Sequence, residues 1–248
     1  MERAQNEATS ENTTKNPAEE TVRERLQKVI RDIHVACERA GRSPDEVTLV
    51  AVSKTKPSSM IQEAFEAGQI HFGENRVKEL ETKMQEITEP GICWHFLGYL
   101  QKNKIKYMAG GVHWIDSVQK VSALEEANKR AGAAGRTIRV LIQVNISGED
   151  QKSGCDPADL PGILRAGNEM EHLQISGLMG MASFTDDREQ IRREFAMLRS
   201  LRDEHAELCK PPHALHHLSM GMSGDFDIAI EEGATMIRIG SSIFGSRS

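Results

Sequence analysis

The sequence has no long apolar segment and no excess of positive charge, and each absence excludes a class of protein. Its longest apolar runs span about six to eight residues, well short of the roughly 20 that a membrane-spanning helix needs. The 248 residues carry 31 Lys and Arg against 37 Asp and Glu, a net charge of -6. No basic surface for nucleic acid is therefore expected. The sequence predicts a protein that neither crosses a membrane nor binds nucleic acid.

Closely spaced cysteines and a targeting segment are also missing. The four cysteines form no C-x-x-C pair: Cys37, Cys93, Cys155 and Cys209. We therefore expect reduced thiols and a cytoplasmic location. Residues 1–18 are polar and acidic and lack the pattern of a signal peptide. We predict that they form a disordered tail before a single domain, residues 19–248.

Short apolar runs alternate with longer amphipathic stretches after a leading helix predicted over residues 20–40. Eight runs are predicted as strands: 48–53, 70–73, 94–97, 114–116, 139–145, 174–179, 216–220 and 236–239. Seven helices are predicted between them: 58–67, 75–87, 101–109, 118–131, 157–170, 187–208 and 223–232. Several of the strands are continuously apolar or β-branched, as in a parallel sheet buried on both faces. The pattern favours a single α/β domain, a (β/α)8 TIM-type barrel with an extra N-terminal helix. A doubly wound open sheet is the alternative.

Two polar residues follow the first two predicted strands, where TIM barrels place their functional side chains. Lys54 follows strand 1 in the segment LVAVSKTKP. A poorly solvated pocket would favour its neutral amine, the form that attacks an aldehyde to make a Schiff base. The alternative is a lysine that reaches into water, as we expect for Lys56. Asn75 follows strand 2 and either faces the barrel axis or caps the next helix.

The segments at strands 7 and 8, LSMGMSGDF and IRIGSSIFG, are rich in glycine and serine. Gly221 allows the backbone to approach an anion closely. Ser223 is predicted at the start of a helix, whose N–H groups favour a phosphate. Gly240 and Ser241 add further donors, and the loops after strands 7 and 8 are the usual phosphate site of TIM barrels. The alternative to a phosphate site is that the glycines form ordinary turns and that Ser223 only caps the helix.

Strand 8 closes onto strand 1 in a barrel, so Lys54 and the glycine–serine segments are predicted neighbours. An aldehyde that also carries a phosphate would span them, and pyridoxal 5′-phosphate (PLP) fits this description. A phosphosugar that forms an imine with Lys54, as in aldolases, also fits. Arg238, inside strand 8, needs a partner if buried. It could hold the phosphate or sit against a pyridine nitrogen.

The histidines give no metal-binding pattern. His213, His216 and His217 lack H-E-x-x-H spacing and have no acidic residue nearby to complete a ligand set. His95 lies inside strand 3, where it either fills the barrel or faces a ligand. We predict no metal site from the sequence.

Seven segments, in this order, resemble the pyridoxal phosphate homeostasis proteins: LVAVSKTKP, FGEN, WHFLGYLQKNK, VLIQVNISGEDQKSG, GLMGMA, LSMGMSGDF and TMIRIGSSIFGSR. The resemblance covers roughly residues 20–247. It implies a fold like the N-terminal barrel of bacterial alanine racemase, with the cofactor PLP on Lys54. It also implies contacts from these residues: Asn75, Met222, Ser223, Arg238, Gly240 and Ser241. Tyr99 and Ser241 depart from the residues usual in this family, which puts only details of the pocket in doubt.

An amino-acid racemase needs a proton donor or acceptor on each face of its substrate. Lys54 can serve one face, and in racemases that this barrel resembles a tyrosine from a second domain serves the other. The sequence ends four residues after Phe244 and has two tyrosines, Tyr99 and Tyr107, so no such domain is expected. The resemblance implies a monomeric, non-catalytic PLP-binding protein in vitamin B6 and amino-acid homeostasis. PLP-dependent apoenzymes are candidate recipients, and a weak racemase is the alternative.

Overall fold

Eight parallel strands close into one barrel in sequence order. The computed structural model describes residues 20–149 and 153–245. The last strand pairs with the first, which closes the barrel. The predicted (β/α)8 barrel is therefore confirmed, and the open doubly wound sheet is wrong. The expected tail, residues 1–18, lies outside the described residues.

Strands and helices alternate around the barrel. The strands are β1 Thr48–Val52, β2 His71–Glu74, β3 Cys93–Phe96, β4 Trp114–Val118, β5 Ile138–Gln143, β6 Leu173–Met179, β7 His217–Ser219 and β8 Met236–Ile239. The α-helices are α1 Val22–Arg39, α2 Ser58–Glu66, α3 Val77–Glu86, α4 Val121–Ala133, α5 Leu160–Gly167, α6 Arg188–His205, α7 Phe226–Glu231 and α8 Ser241–Phe244. A 3-10 helix, Lys102–Tyr107, replaces the α-helix predicted between β3 and β4. No helix in the described ranges is both long and apolar enough to cross a membrane.

The leading helix α1 forms as its sequence predicts. Thr21 and Glu24 make a capping box at its start, in which each side chain accepts from the other residue's backbone N–H. Gly41, directly after the C-cap, has a φ of 65°, the left-handed conformation that commonly ends a helix. The helix packs against α2, α7 and α8, so it covers the side of the barrel where β8 meets β1.

The apolar residues divide into two clusters. The larger lies between the strands and the surrounding helices. The smaller lies inside the barrel and contains Trp114, Leu141, Met179 and Met236. Polar groups share this interior, among them His95 and Arg238, each no more than 4% exposed.

At the carboxyl end of the barrel, one local prediction is wrong, one alternative is excluded and one short helix was not predicted. Ser223 does not start a helix, because the chain turns at Ser223 and α7 begins only at Phe226, after its N-cap Asp225. Asn75 does not cap α3, whose N-cap is Arg76. The short helix α8 was not predicted, since a four-residue helix has too little sequence to show a period.

Candidate functional site

A cavity of about 280 Å³ opens at the carboxyl end of the barrel. Its volume lies near the lower end of the roughly 300–1,000 Å³ typical of small-molecule pockets. Fifteen residues line it: Val52, Lys54, Thr55, Lys56, Asn75, Leu97, Met179, Met181, Met222, Ser223, Arg238, Gly240, Ser241, Phe244 and Gly245. All seven residues that the sequence analysis assigns to the cofactor are among them. Lys56, expected in an exposed loop, also lines the cavity.

The register of the barrel explains why Lys54 lies between Asn75 and the glycine–serine loop after β8. Val52 pairs with Gly73 of β2, so Lys54 and Asn75 each lie two residues beyond that pair. On its other side, β1 pairs with β8 through Val50 and Arg238. Side chains alternate along a strand, so Lys54 extends the same face as Val50 and Val52.

A buried ion-pair network fixes the turn that carries Lys54. The ammonium group of Lys83 donates to the Ser53 carbonyl oxygen at 2.9 Å and to carboxylate oxygens of Glu74 and Glu79 at 2.8 Å each. The Thr55 N–H donates to Glu79. Thr55 has a φ of 63°, a left-handed conformation that is costly for a β-branched residue. The residues on both sides of Lys54 are therefore held by Lys83 and its partners.

Lys83 and Glu79 were not predicted from the sequence as part of the site. Their i, i+4 spacing on one helix predicts an ion pair, but the spacing alone does not show that the pair is buried. Lys83 is 4% exposed and Glu74 is fully buried. Burial raises the pKa of the Glu74 carboxyl, although the charge of Lys83 opposes that shift.

Asn75 is held by close backbone packing with the next strand connection. A Cβ added to Gly98 would overlap the carbonyl oxygen of Asn75. The Leu97 N–H also donates to the Glu74 carbonyl oxygen at 2.8 Å. Only glycine at residue 98 therefore lets the backbone pass Asn75 at this distance.

Backbone geometry brings the two glycine–serine segments to the cavity. Gly221 has a φ of 93°, and a Cβ there would lie 2.5 Å from that of Ala229. The Met222 N–H donates to a carboxylate oxygen of Asp225 at 2.6 Å. This bond closes the turn that presents Ser223. Burial raises the pKa of Asp225, while the Met222 N–H opposes that shift.

Arg238 lies buried at the inner side of the cavity. Its guanidinium group donates to the Ser219 hydroxyl at 2.8 Å and to the Gly180 carbonyl oxygen at 2.9 Å. Burial lowers its pKa to about 10, against the opposing charges of Asp116 and Asp225. The group is thus still a cation at neutral pH, and two partners fix its orientation.

His213 and His217, near β7, make different contacts. The His213 ring accepts from the Ile175 N–H, whereas the His217 ring lies beside Trp114. His95 is fully buried inside the barrel. It belongs to a cluster with His71 and Cys93 that the sequence analysis missed, because strand register alone brings these residues together.

Comparison with known proteins relates most of the chain to one family. The family model for the alanine racemase N-terminal domain matches residues 25–248. The chain is 42% identical over 224 residues to the pyridoxal phosphate homeostasis protein of Aquifex aeolicus (strain VF5), an alignment that covers 90% of this chain and 97% of that protein. The solved structure of PipY from Synechococcus elongatus PCC7942 with PLP bound has a TM-score of 0.79 at 37% identity, over 91% of this chain and 100% of that chain.

An alanine racemase from Streptomyces lavendulae shares the fold at greater distance. Its TM-score is 0.68 at 19% identity, over 90% of this chain and 58% of the racemase chain. The family model and the curated relatives agree over most of the sequence. The chain belongs to the alanine racemase N-terminal domain family and, within it, to the pyridoxal phosphate homeostasis proteins.

Proposed function

We propose that this chain binds PLP as a Schiff base on Lys54 and acts in intracellular vitamin B6 and amino-acid homeostasis. The observation that carries this proposal is that Lys54 and the two glycine–serine segments line one cavity. The name of the relatives supports it, as does the PLP bound to PipY at 37% identity. When bound, PLP supplies a reactive aldehyde and an electron-withdrawing ring.

The binding step uses the amine of Lys54. In its neutral form this amine would be the nucleophile that holds the cofactor through its aldehyde group. The strained turn at Thr55 and the network around Lys83 hold the backbone of Lys54 in place. The entropy of ordering the backbone at Lys54 is therefore lost during folding rather than on binding.

The phosphate is assigned to the segments after β7 and β8. Ser223 and Ser241 offer hydroxyl and backbone donors, and Gly240 offers its N–H without a side chain in the way. A Cβ at Gly240 would lie 3.0 Å from the Val52 carbonyl oxygen, so glycine also lets the loop lie against β1. Met222 lines the same cavity and is 39% exposed, which suits an apolar contact with the ring.

Arg238 is assigned to the pyridine nitrogen rather than to the phosphate. It precedes Gly240 by two residues on β8, so it lies deeper in the barrel than the glycine–serine loop. A cation there disfavours protonation of the ring nitrogen, which makes the ring a weaker electron sink. This arrangement suits a protein that holds the cofactor rather than one that forms carbanions.

The lining of the cavity favours a carrier over a racemase. Among the described residues that line it, the ionisable side chains are Lys54, Lys56 and Arg238. A racemase needs a second acid or base opposite Lys54. Tyr99, the substitute that the sequence offers, is 64% exposed and lines other pockets. We therefore assign no robust catalytic activity to the site.

The test is a titration of the purified protein with PLP, followed through the yellow absorbance of the imine. The wild-type protein should bind one equivalent, and Lys54→Ala should lose the imine band while its phosphate contacts retain some cofactor. Lys56→Ala, the matched control in the same loop, should keep the band. Lack of an imine band in the wild-type protein would contradict the proposal. It would favour the alternative, an aldolase that forms an imine between Lys54 and a phosphosugar.

A second measurement separates carrier from racemase. Amino acids are incubated with PLP-loaded protein in deuterium oxide, and exchange at Cα is followed by NMR. A carrier should give no exchange above that of free PLP, whereas exchange that Lys54→Ala abolishes would establish a racemase.

We further propose a monomer in the cytoplasm that passes PLP to apoenzymes. Sedimentation and transfer assays test these two points.

A further inference from the structure

A cluster of two histidines and one cysteine lies at the amino-terminal end of the barrel, opposite the Lys54 cavity. His71 and Cys93 are the first residues of β2 and β3, and they pair directly in the parallel ladder. His95 follows Cys93 by two residues, so both side chains lie on the same face of β3. The register of two neighbouring strands therefore brings all three side chains together.

The three potential ligand atoms lie as close together as a metal site requires. Nδ1 of His71 is 2.9 Å from Nε2 of His95, and Sγ of Cys93 is 3.9 Å from that same Nε2. All three atoms lie within 4.8 Å of one another. Ligands of a tetrahedral zinc ion stand roughly 3.3–3.6 Å apart, as its Zn–N and Zn–S bond lengths require. The two distances to Nε2 of His95 each differ from these values by less than half an ångström, and rotation of the half-buried Cys93 and His71 side chains would adjust the third.

The surroundings of His95 are those of a metal-binding histidine. Its Nδ1 lies 3.2 Å from both carboxylate oxygens of Asp116, so the ring donates there and turns Nε2 toward His71 and Cys93. Metal-bound histidines almost always donate their other N–H to such a partner. The ring also stacks on Trp114, with centroids 5.3 Å apart and planes 6° from parallel. His95 and Asp116 are fully buried, so this orientation is fixed before any ion arrives.

We propose that His71, Cys93 and His95 form a binding site for Zn²⁺ or a similar divalent cation of the first transition series. Imidazole and thiolate ligands suit zinc, whereas magnesium and calcium prefer oxygen. The Cys93 thiolate and the Asp116 carboxylate together balance the two positive charges. On binding, the thiol proton leaves to solvent, and the proton shared between Nδ1 of His71 and Nε2 of His95 must also leave that position. Each neutral ring then keeps its one proton on its other nitrogen, Nε2 in His71 and Nδ1 in His95, and offers a lone pair to the metal. His71 and Cys93 are half-buried, so the fourth position is left for water.

The test uses Co²⁺ as a spectroscopic substitute for Zn²⁺. The full chain, stripped of metal with a chelator, is titrated with Co²⁺ and then with Zn²⁺. We expect one equivalent of cobalt to bind, with a thiolate-to-cobalt charge-transfer band that zinc abolishes. Cys93→Ser should lose this band. Cys209→Ser, a change at another half-buried free cysteine, should keep it.

Asp116 is a positioning residue, because it orients the ring of His95. A variant of Asp116 tests whether the cluster binds a metal or whether its side chains only pack together. Asp116→Asn should weaken metal affinity about 10- to 100-fold, while the charge-transfer band survives at saturating cobalt. Far-UV circular dichroism and the urea midpoint confirm that each variant is folded. If Cys93→Ser does not fold, loss of affinity in His71→Gln replaces it. The absence of stoichiometric cobalt binding, or an unchanged band in Cys93→Ser, would overturn the proposal.

Discussion

Arg238 both links strands inside the barrel and lines the cavity. Its two hydrogen bonds tie β8 to Ser219 and Gly180 inside the barrel. Burial lowers its pKa to about 10, because the buried cation loses its hydration. The hydrogen bonds to Ser219 and Gly180 offset part of this loss. A guanidinium needs such partners because it stays protonated. The position of its guanidinium group is therefore set by the fold itself.

Replacing Arg238 tests this role. Arg238→Met should weaken PLP binding about tenfold, ~1.4 kcal/mol, because the ring loses a fixed polar partner. The imine band should still form at saturating PLP, since Lys54 is intact. Arg199→Met, at a half-exposed arginine that pairs with Glu232 on the helical face, is the control and should bind PLP normally. Equal PLP affinity of the Arg238→Met and wild-type proteins would show that Arg238 does not contact the cofactor.

At the scale of elements, the junction of β1 with its following turn depends on α3. Lys83 of α3 is the shared donor to Glu74, Glu79 and Ser53. Removing one partner of a buried ion pair leaves a charge without compensation. The helix therefore stabilises the turn that carries Lys54, although it contributes no residue to the cavity lining.

We predict that Lys83→Met destabilises the protein by about 3–5 kcal/mol and weakens PLP binding. Urea unfolding and PLP titration measure the two effects. Lys78→Met is the matched control on the same helix, because Lys78 pairs with Glu81 while its side chain is 86% exposed. That change should leave the urea midpoint nearly unaltered. A Lys83→Met protein as stable as the control would show that the network does not hold the turn.

The connection after β3 positions Asn75 from the other side. Gly98→Ala places a Cβ against the Asn75 carbonyl oxygen, so the backbone must shift. We expect PLP affinity to fall at least tenfold while the barrel stays folded. Gly162→Ala, inside α5 with open space around it, should leave affinity unchanged and add about 0.5–1 kcal/mol of stability. Equal PLP affinity in both variants would contradict this role for Asn75.

Elements were easier to predict than their ends. The predicted bounds of the last strand, Met236–Ile239, match the structure, because three apolar residues around Arg238 are bounded by threonine and glycine. The start of α7 was placed three residues too early. Asp225 accepts the Met222 N–H, and this turn delays the helix in a way that periodicity cannot show. The order of the strands, and the residues that meet at their carboxyl ends, follow from the barrel fold. The residue that caps a given helix depends on contacts that the sequence does not reveal.

At the scale of the whole molecule, the barrel places two different groups of side chains at its two ends. Lys54 and the glycine–serine segments follow the strands, while His71 and Cys93 start theirs. The first group could be predicted, because TIM barrels bind ligands at the carboxyl ends of their strands. The second could not, because no short motif links His71 to Cys93 across 21 intervening residues. Only the register of β2 and β3 brings them together.

Ligand binding should stabilise the entire barrel, because Lys54, Asn75 and Ser241 come from three different strand ends. At a PLP concentration of 100 times the dissociation constant, we expect about 2.7 kcal/mol of added stability. Thermal unfolding with and without PLP measures this effect. Lys54→Ala should lose most of it. An equal shift for Lys54→Ala and wild type would mean that PLP binds elsewhere.

The most direct test of the central claim is to locate the bond between the cofactor and the chain. PLP-loaded protein is reduced with borohydride, digested, and its peptides are sequenced by mass spectrometry. We predict one pyridoxyl group per chain, on Lys54. A pyridoxyl group on Lys56, or one spread over surface lysines, would contradict the assignment of the site.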